Sequence, residues 1–372
     1  MSGVMPTSEA HLSRARRVVV AMSGGVDSSV AAALLKKAGN EVIGVTLKLQ
    51  ECHEAQGSRS CCGVDGIARA RAVAGQLGIP HYVLDCVREF ERDVLRPAWD
   101  EYAVGRTPSP CLLCNERIKF GLLNEWARRI GADCVATGHY TQVERSADGE
   151  PVLLRGLDPE KDQSYFLAGL DREQLAALIF PIGHLNKSAV RELGRSLGLS
   201  TAETHDSQDA CLVGPDQSFA EMLRERFSAA SREGTIVDEA GAVLGQHPGI
   251  HHFTIGQRRG LGVSSTSRRW VKEVRGTDGV VVVTDRDDAL LARRLVAAGM
   301  SWLAPRPPDG SVLECMVQVR YRHTATRASV SCSASGAVAV TLHEPVRAVT
   351  PGQAAVLYDG DRVLGRGWID VC

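Results

Sequence analysis

Val18-Val19-Val20-Ala21 is a short apolar run cut off by Ser23-Gly24-Gly25, and a helical pattern follows at once, from about Asp27 to Ala38, with Gly39 at its end. A run this short reads as a buried strand, and a terminal glycine stops a helix by taking the left-handed conformation. A strand that turns through two glycines straight into a helix is the opening of a β–α unit. The following segments repeat the alternation: strand Glu41–Leu49, helix Val64–Leu77, strand His81–Asp85, helices Val87–Val104 and Asn115–Ile130, and strand Cys134–Thr137 running into Gly138-His139-Tyr140. Alternation at this spacing predicts a parallel, doubly wound sheet covered by helices on both faces.

The pattern changes after about Thr204. Glu233–Gly262 is rich in glycine and poor in long periodic segments, and from about Leu295 the segments are short and β-like, punctuated by Pro307-Pro308-Asp309-Gly310 and Asp359-Gly360. The expectation is an α/β domain over 1–205, a small central domain over 206–288 and a C-terminal β-barrel over 289–372. A chain of 372 residues is long enough for each to bury a core of its own.

The first junction also carries chemistry. In Ser23-Gly24-Gly25-Val26-Asp27-Ser28 the glycines allow a nest of backbone N–H groups, and the helix that follows adds its unpaired donors and partial positive charge. Ser23 and Ser28 offer hydroxyls, and Asp27 offers a helix cap or a cation ligand. There is no Walker lysine and no dinucleotide-type glycine spacing, so the loop suits the phosphates of ATP without belonging to either pattern.

A second constellation is sulfur. Cys111-Leu112-Leu113-Cys114 follows the proline-bracketed loop Thr107-Pro108-Ser109-Pro110 and precedes the helix expected from Asn115. A thiol just ahead of a helix N-terminus, with Arg117 and Lys119 near, has its thiolate favoured. Cys211 lies in another irregular segment, Asp206-Ser207-Gln208-Asp209-Ala210-Cys211. Cys86, Cys134, Cys315 and Cys332 adjoin apolar residues and read as core; Cys52, Cys61 and Cys62 stay open. Eleven cysteines, no apolar N-terminal core and no apolar run near ~20 residues predict a cytoplasmic protein with reduced thiols and no membrane partner.

Forty-three Lys plus Arg balance forty-four Asp plus Glu, which excludes a uniformly basic nucleic-acid coat. RNA binding would need clustered charge; Arg258-Arg259, Arg268-Arg269, Arg320 and Arg322 are the candidates, with Tyr321 able to stack on a base. Solvated surface is the ordinary reading of such pairs.

The phosphate loop resembles the signature of the PP-loop ATP pyrophosphatases, which cleave ATP between the α and β phosphates. With the cysteine run Pro110-Cys111-Leu112-Leu113-Cys114-Asn115 and Ile118-Lys119-Phe120, the resemblance narrows to the tRNA 2-thiouridylases. It extends through Ala136–Tyr140, Leu154-Arg155-Gly156, Lys161–Phe166, Phe180-Pro181, Asp206-Ser207 with Cys211, His252–Gly262, Arg320-Tyr321-Arg322 and Pro351-Gly352-Gln353. The resemblance implies ATP-dependent 2-thiolation of the wobble uridine of tRNA, with Mg²⁺ and a persulfide donor (a cysteine desulfurase or a sulfur relay protein). It implies Cys114 as nucleophile and Cys211 as persulfide carrier. Ala21, Met22, Ser23, Gly24, Gly25, Val26, Asp27, Ser28, Leu47 and Gly138 fall on the ATP contacts, and Ser109, Pro110 and Cys111 on the target base. His139, Lys161, Asp162, Gln163, Arg320, Tyr321 and Gln353 fall on tRNA contacts.

Two rival readings are a synthetase-type PP-loop enzyme, which needs neither paired thiols nor an RNA face, and a non-catalytic RNA-binding protein on the same fold. One position departs from much of the family: Cys111 stands where many members carry Asp. Cys111, Cys114 and Cys211 make three thiolates, enough to hold a 4Fe–4S cluster by three corners. Plain persulfide chemistry is the alternative, with zinc, completed by Cys62 or a histidine, a third.

Overall fold

The computed structural model describes residues 16–51, 64–204, 218–263 and 267–371. They form two compact units. The first takes the described residues of Met1–Asp93, Cys111–Gly214 and Asp361–Val363; the second takes those of Val94–Pro110, Pro215–Gly360 and Leu364–Cys372.

In the first unit, strands β1 (Arg17–Ala21), β2 (Glu41–Lys48), β3 (His81–Asp85), β4 (Cys134–Thr137) and β7 (Leu178–Ile179) form a sheet in the order β3-β2-β1-β4-β7. Every pairing is parallel. β1 carries Val18, Val19 and Val20 at 0% exposure, as the central strand of a sheet covered on both faces must. Helices Val26–Lys37 and Val64–Leu77 share the core beneath it through Val30, Ala31, Leu35, Ala70 and Val73. Strand order reverses between β1 and β4. In open α/β sheets that reversal leaves a crevice beyond the strand carboxyl ends. The Ser23–Ser28 loop follows β1 there, and Gly138-His139-Tyr140 follows β4. A short antiparallel hairpin, β5 (Thr141–Arg145) with β6 (Pro151–Arg155), continues the chain and was not foreseen.

Two helical stretches differ from expectation. Val87–Ala103 is interrupted by a π-helical segment at Glu91–Leu95. The helix expected from Asn115 starts earlier, at Pro110, and runs as α-helix Pro110–Leu113, π-helix Cys114–Leu122 and α-helix Leu123–Arg129. Cys114 therefore does not precede a helix N-terminus; it sits one turn inside. Pro110 explains the shift, since its fixed φ and missing N–H suit a first turn.

In the second unit, β8 (Gly234–Val237), β9 (Val243–His247), β10 (Trp270–Arg275) and β11 (Val280–Thr284) form a four-stranded sheet, ordered β10-β11-β8-β9. Its core is small: Ile236, Ile250, Phe253, Leu261, Val271, Val281 and Val283. The C-terminal strands β12 (Leu291–Trp302), β13 (Val312–Gln318), β14 (Thr326–Cys332), β15 (Val338–Arg347), β16 (Ala354–Asp359) and β17 (Arg362–Val371) run β12-β15-β14-β13-β16-β17. A β12–β17 pairing closes the ring into a six-stranded barrel. Register shifts at Val296/Ala297 and Ala298/Ser301 give that seam its curvature.

Candidate active site

The loop after β1 is shaped by what its glycines avoid. Gly24 has φ +77, and a methyl group there would lie 2.3 Å from the Gly66 carbonyl oxygen. Gly138 packs on the first turn of helix Val26–Lys37, where a methyl group would lie 2.5 Å from the Ser28 nitrogen. Gly25 is the N-cap of that helix and brings no side chain to its first N–H groups, which is the arrangement an anion uses. The hydroxyls order the turn: the Ser23 N–H donates to Ser28 Oγ at 3.2 Å, and Ser29 Oγ donates to the Gly25 carbonyl at 2.8 Å. Ala21 and Val26 flank the loop, and Met22 and Leu47 point into the core, 2% and 8% exposed, so only their backbone is placed to meet a ligand.

Asp27 neither caps the helix nor stands alone. Its carboxylate accepts two bonds from Lys187 Nζ, at 2.8 Å to each oxygen, and one from the Tyr140 hydroxyl at 2.7 Å. Lys187 is the first residue of helix Lys187–Ser196, capped by Asn186 through the Ala189 N–H. A lysine in a first turn opposes the helix dipole, and the Asp27 carboxylate offsets that cost here. That first-turn position was readable in the sequence and was missed, as was Tyr140. Lys187 supplies the cation that the glycine loop lacks.

Of the thiols, Cys114 is buried and Cys111 half-buried. Three residues apart on one helical run, they share a face, which fits two ligands of one cluster. Cys211 lies outside the described residues, as do Cys52, Cys61 and Cys62. The π stretch after Cys114 is held from outside: Asn115 Nδ2 donates to the Phe166 carbonyl at 3.1 Å, and Gln174 Nε2 to the Glu116 carbonyl at 2.9 Å. The remaining described cysteines are inert by burial, which pushes Cys86 and Cys134 up to about 11, Cys315 up to about 12, and Cys332 upward.

His139 forms a three-ring cluster with Phe120 and Phe180, with Nδ1 2.7 Å from Thr137 Oγ1. Burial, then the nearby Lys119 ammonium, hold its pKa well below the usual histidine range. The ring is held as a neutral imidazole. Asp162 accepts from Arg155, the Gly156 and Ser164 N–H groups and the Ser164 hydroxyl, all within 3.0 Å. Gln163 is bound twice to the Tyr140 backbone, accepting its N–H at 3.0 Å and donating to its carbonyl at 2.9 Å. These two residues hold the loop that presents half-buried Lys161.

In the second unit, Gln353 Nε2 donates to the carbonyls of Thr107 and Pro108, at 3.0 and 2.9 Å, and so fixes the approach to buried Ser109 and to Pro110. Arg320 donates to the Arg347 and Ala348 carbonyls at 3.0 and 3.2 Å, and the Arg322 guanidinium lies 5.5 Å from the Tyr321 ring. Arg258 and Arg259 are exposed.

Comparison with known proteins accounts for nearly the whole chain. A family model described as a tRNA methyl transferase HUP domain matches residues 16–215, one described as a tRNA methyl transferase PRC-barrel domain matches 221–285, and one described as an aminomethyltransferase beta-barrel domain matches 292–369. The chain is 46% identical over 360 residues to the tRNA-specific 2-thiouridylase MnmA of Geobacter metallireducens, covering 95% of this chain and 97% of that protein. It is 45% identical over 360 residues to that of Geotalea uraniireducens, covering 95% of each. It is 46% identical over 361 residues to that of Rhodopseudomonas palustris, covering 95% and 90%. With the parallel sheet, the central sheet and the closed barrel all in place, the chain belongs to the tRNA-specific 2-thiouridylase family.

Proposed function

We propose that the protein is a tRNA-uridine 2-sulfurtransferase, which converts ATP to AMP and pyrophosphate while replacing the 2-oxygen of the wobble uridine with sulfur. The observation that carries this reading is the uncapped helix N-terminus behind Ser23-Gly24-Gly25, with Asp27 and Lys187 paired beside it at the strand-order reversal. ATP phosphates lie on the N–H groups of residues 24–28, and Gly138, having no side chain, lets the end of β4 pack directly on that first helical turn. Lys187 moves from Asp27 to the pyrophosphate, and Asp27 is then the residue that would hold Mg²⁺. Both groups thus act on charge that develops as the α–β bond breaks.

The uridine 2-oxygen attacks the α-phosphorus and pyrophosphate leaves. The terminal sulfur of a Cys211 persulfide attacks C2 and AMP leaves. The Cys114 thiolate then attacks the Cys211 sulfur, forming a Cys114–Cys211 disulfide and releasing 2-thiouridine; an external thiol reduces the disulfide. Ser109, Pro110 and Cys111 line the base. If Cys111, Cys114 and Cys211 hold a 4Fe–4S cluster, it supplies an iron with an open coordination position for sulfide.

Lys161, Arg320 and Tyr321 contact tRNA directly and His139 does so as a neutral donor or acceptor, whereas Asp162, Gln163 and Gln353 act through the loops they hold. The parts divide as 1–205, 206–288 and 289–372, and the compartment is the cytoplasm, where thiols stay reduced and a desulfurase or relay protein supplies the persulfide. No helix among the described residues is long and apolar enough to cross a membrane. Mass analysis of tRNA nucleosides after incubation with ATP, Mg²⁺ and a persulfide donor tests the reading. ATP-dependent 2-thiouridine supports it; AMP formation without thiolated tRNA overturns it in favour of a synthetase.

A further inference from the structure

The second unit contains a cluster that the reaction above does not use. Glu221, His251 and His252 bring one ligand atom each to within 4.8 Å of one another. Glu221 Oε2 lies 3.1 Å from His251 Nε2 and 3.7 Å from His252 Nε2. Zinc binds imidazole nitrogen and carboxylate oxygen at about 2.0–2.2 Å, and a tetrahedral angle sets such atoms roughly 3.4 Å apart. The two separations fall on either side of that value.

The side chains are held in this arrangement by groups that are not ligands. Arg224 takes the other Glu221 oxygen, at 2.6 and 2.9 Å, which leaves Oε2 turned to the imidazoles. The Trp99 ring meets His251 edge-on at 5.6 Å between centroids. A methyl group at Gly249 would lie 2.3 Å from His251 Cε1, so the ring's seat depends on that glycine. A carboxylate bonded on its far side and a ring fixed by packing are the usual support of a metal ligand set. A simple His251–Glu221 hydrogen bond accounts for the shorter contact. It leaves unexplained why the second imidazole, its ring centre 4.1 Å from the first and tilted by 37° to it, turns its Nε2 to the same oxygen.

We propose that Glu221, His251 and His252 bind a structural divalent transition-metal ion of the zinc type, with water in the fourth position. Two imidazoles and one carboxylate favour such an ion over Mg²⁺ or Ca²⁺, which take oxygen. His252 is 31% exposed, so the fourth position has access to solvent. The ion would clasp helix Phe219–Arg226 and turn Ile250–His252, with helix Arg96–Ala103 bound in through Trp99. The small core of the central sheet gives such a clasp a purpose, since domains with little apolar burial commonly add a metal. Exposed Arg258 and Arg259 follow shortly after His252 in the chain.

The test needs neither tRNA nor ATP, so it stands or falls apart from the thiolation reading. Reduced full-length protein is stripped with a chelator and titrated with Zn²⁺, then Co²⁺. We expect the wild type to take up one more equivalent than either Glu221→Gln or His252→Asn. The cobalt lost in the variants should show weak visible d–d bands without a thiolate charge-transfer band, Mg²⁺ should not displace it, and Zn²⁺ should raise the melting temperature of the wild type alone. His252 is the partly exposed ligand, so its variant decides the matter should Glu221→Gln fail to fold. Equal metal uptake by wild type and His252→Asn, or cobalt spectra of thiolate type only, overturns the proposal.

Discussion

The phosphate loop and the cysteine helix belong to the same unit yet are built on opposite principles. The loop at residues 21–28 works through its backbone, with Gly66, Gly138 and Lys187 closing around it. Two glycines, short hydroxyl side chains and the first turn of the next helix generate a bed of N–H groups, and the neighbouring backbone approaches so closely that no side chain fits at Gly24 or Gly138. The helical run from Pro110 presents side chains, and Phe166 and Gln174 hold it from outside. Its π segment begins at Cys114 itself, where the helical hydrogen-bond pattern changes from i→i+4 to i→i+5. Binding an anion asks for fixed backbone dipoles. Sulfur transfer asks a side chain to meet partners in succession.

If that contrast is right, the two regions should fail differently. The largest effect belongs to Cys114→Ser, which should abolish 2-thiouridine formation while tRNA-dependent release of AMP persists in a single turnover. Loss of AMP release together with thiolation would show that the helix serves the nucleotide as well. Next in size is Lys187→Met. Removing one preorganised donor at a site of developing charge should slow AMP formation by about 10²–10³-fold. The ATP KM should rise, Lys187→Arg should recover part of the loss, and tRNA affinity in a filter-binding assay should stay unchanged. A fall in tRNA affinity matching the fall in rate would break the separation of roles.

The fold's centre was readable because its signals are local. Helix Val64–Leu77 and strand His81–Asp85 lie where periodicity and flanking glycines put them. The β-like pattern expected from about Leu295 begins four residues inside strand Leu291–Trp302, because its opening Leu-Ala-Arg-Arg is composed of helix formers. Barrel closure against both neighbours overrides that preference. The start of the cysteine helix was misplaced because Pro110 reads as the end of a proline-bracketed loop, whereas its fixed φ and missing N–H equally suit the first helical turn it occupies. Of the site, the loop and Cys111–Cys114 run were legible as motifs. The first-turn position of Lys187 was readable, but its pairing with Asp27 and Tyr140, like the Gln353 contacts, joins residues distant in sequence that no spacing announces.

Gln353 tests the second half of the comparison on the stretch that leads into the cysteine helix. Its side-chain amide satisfies two consecutive carbonyls, Thr107 and Pro108, immediately before Ser109 and Pro110. Each such bond contributes about 0.5–1.5 kcal/mol net, and the loop shifts when both are lost. Gln353→Ala should therefore lower thiolation by about 10–100-fold through misplacement of the base loop, with the ATP KM unaltered. Should tRNA affinity drop by the same factor, Gln353 touches the RNA itself and is not a positioning residue.

The smallest effect lies where the two regions meet. His139 follows Gly138 at the end of β4, and its ring packs 5.7 Å from that of Phe120, which belongs to the π segment. Burial and Lys119 keep the folded-state pKa well below the ordinary 6.5. Because the unfolded chain takes up this proton and the folded one does not, the neutral ring's contribution is complete above about pH 6.5 and is lost as the pH falls below it. Burial also lowers His81, His247, His252 and His323, so acid sensitivity of the wild type alone assigns nothing to one ring. The difference against His139→Gln cancels their share. At pH 8 the variant should be the less stable in urea, having lost its packing on Phe120 and Phe180. At pH 5 the gap should narrow, since only the wild type carries the penalty of keeping an imidazole neutral. Parallel stability curves across that range would mean that His139 takes its proton while folded, and that the joint between loop and helix is wetter and looser than its aromatic packing implies.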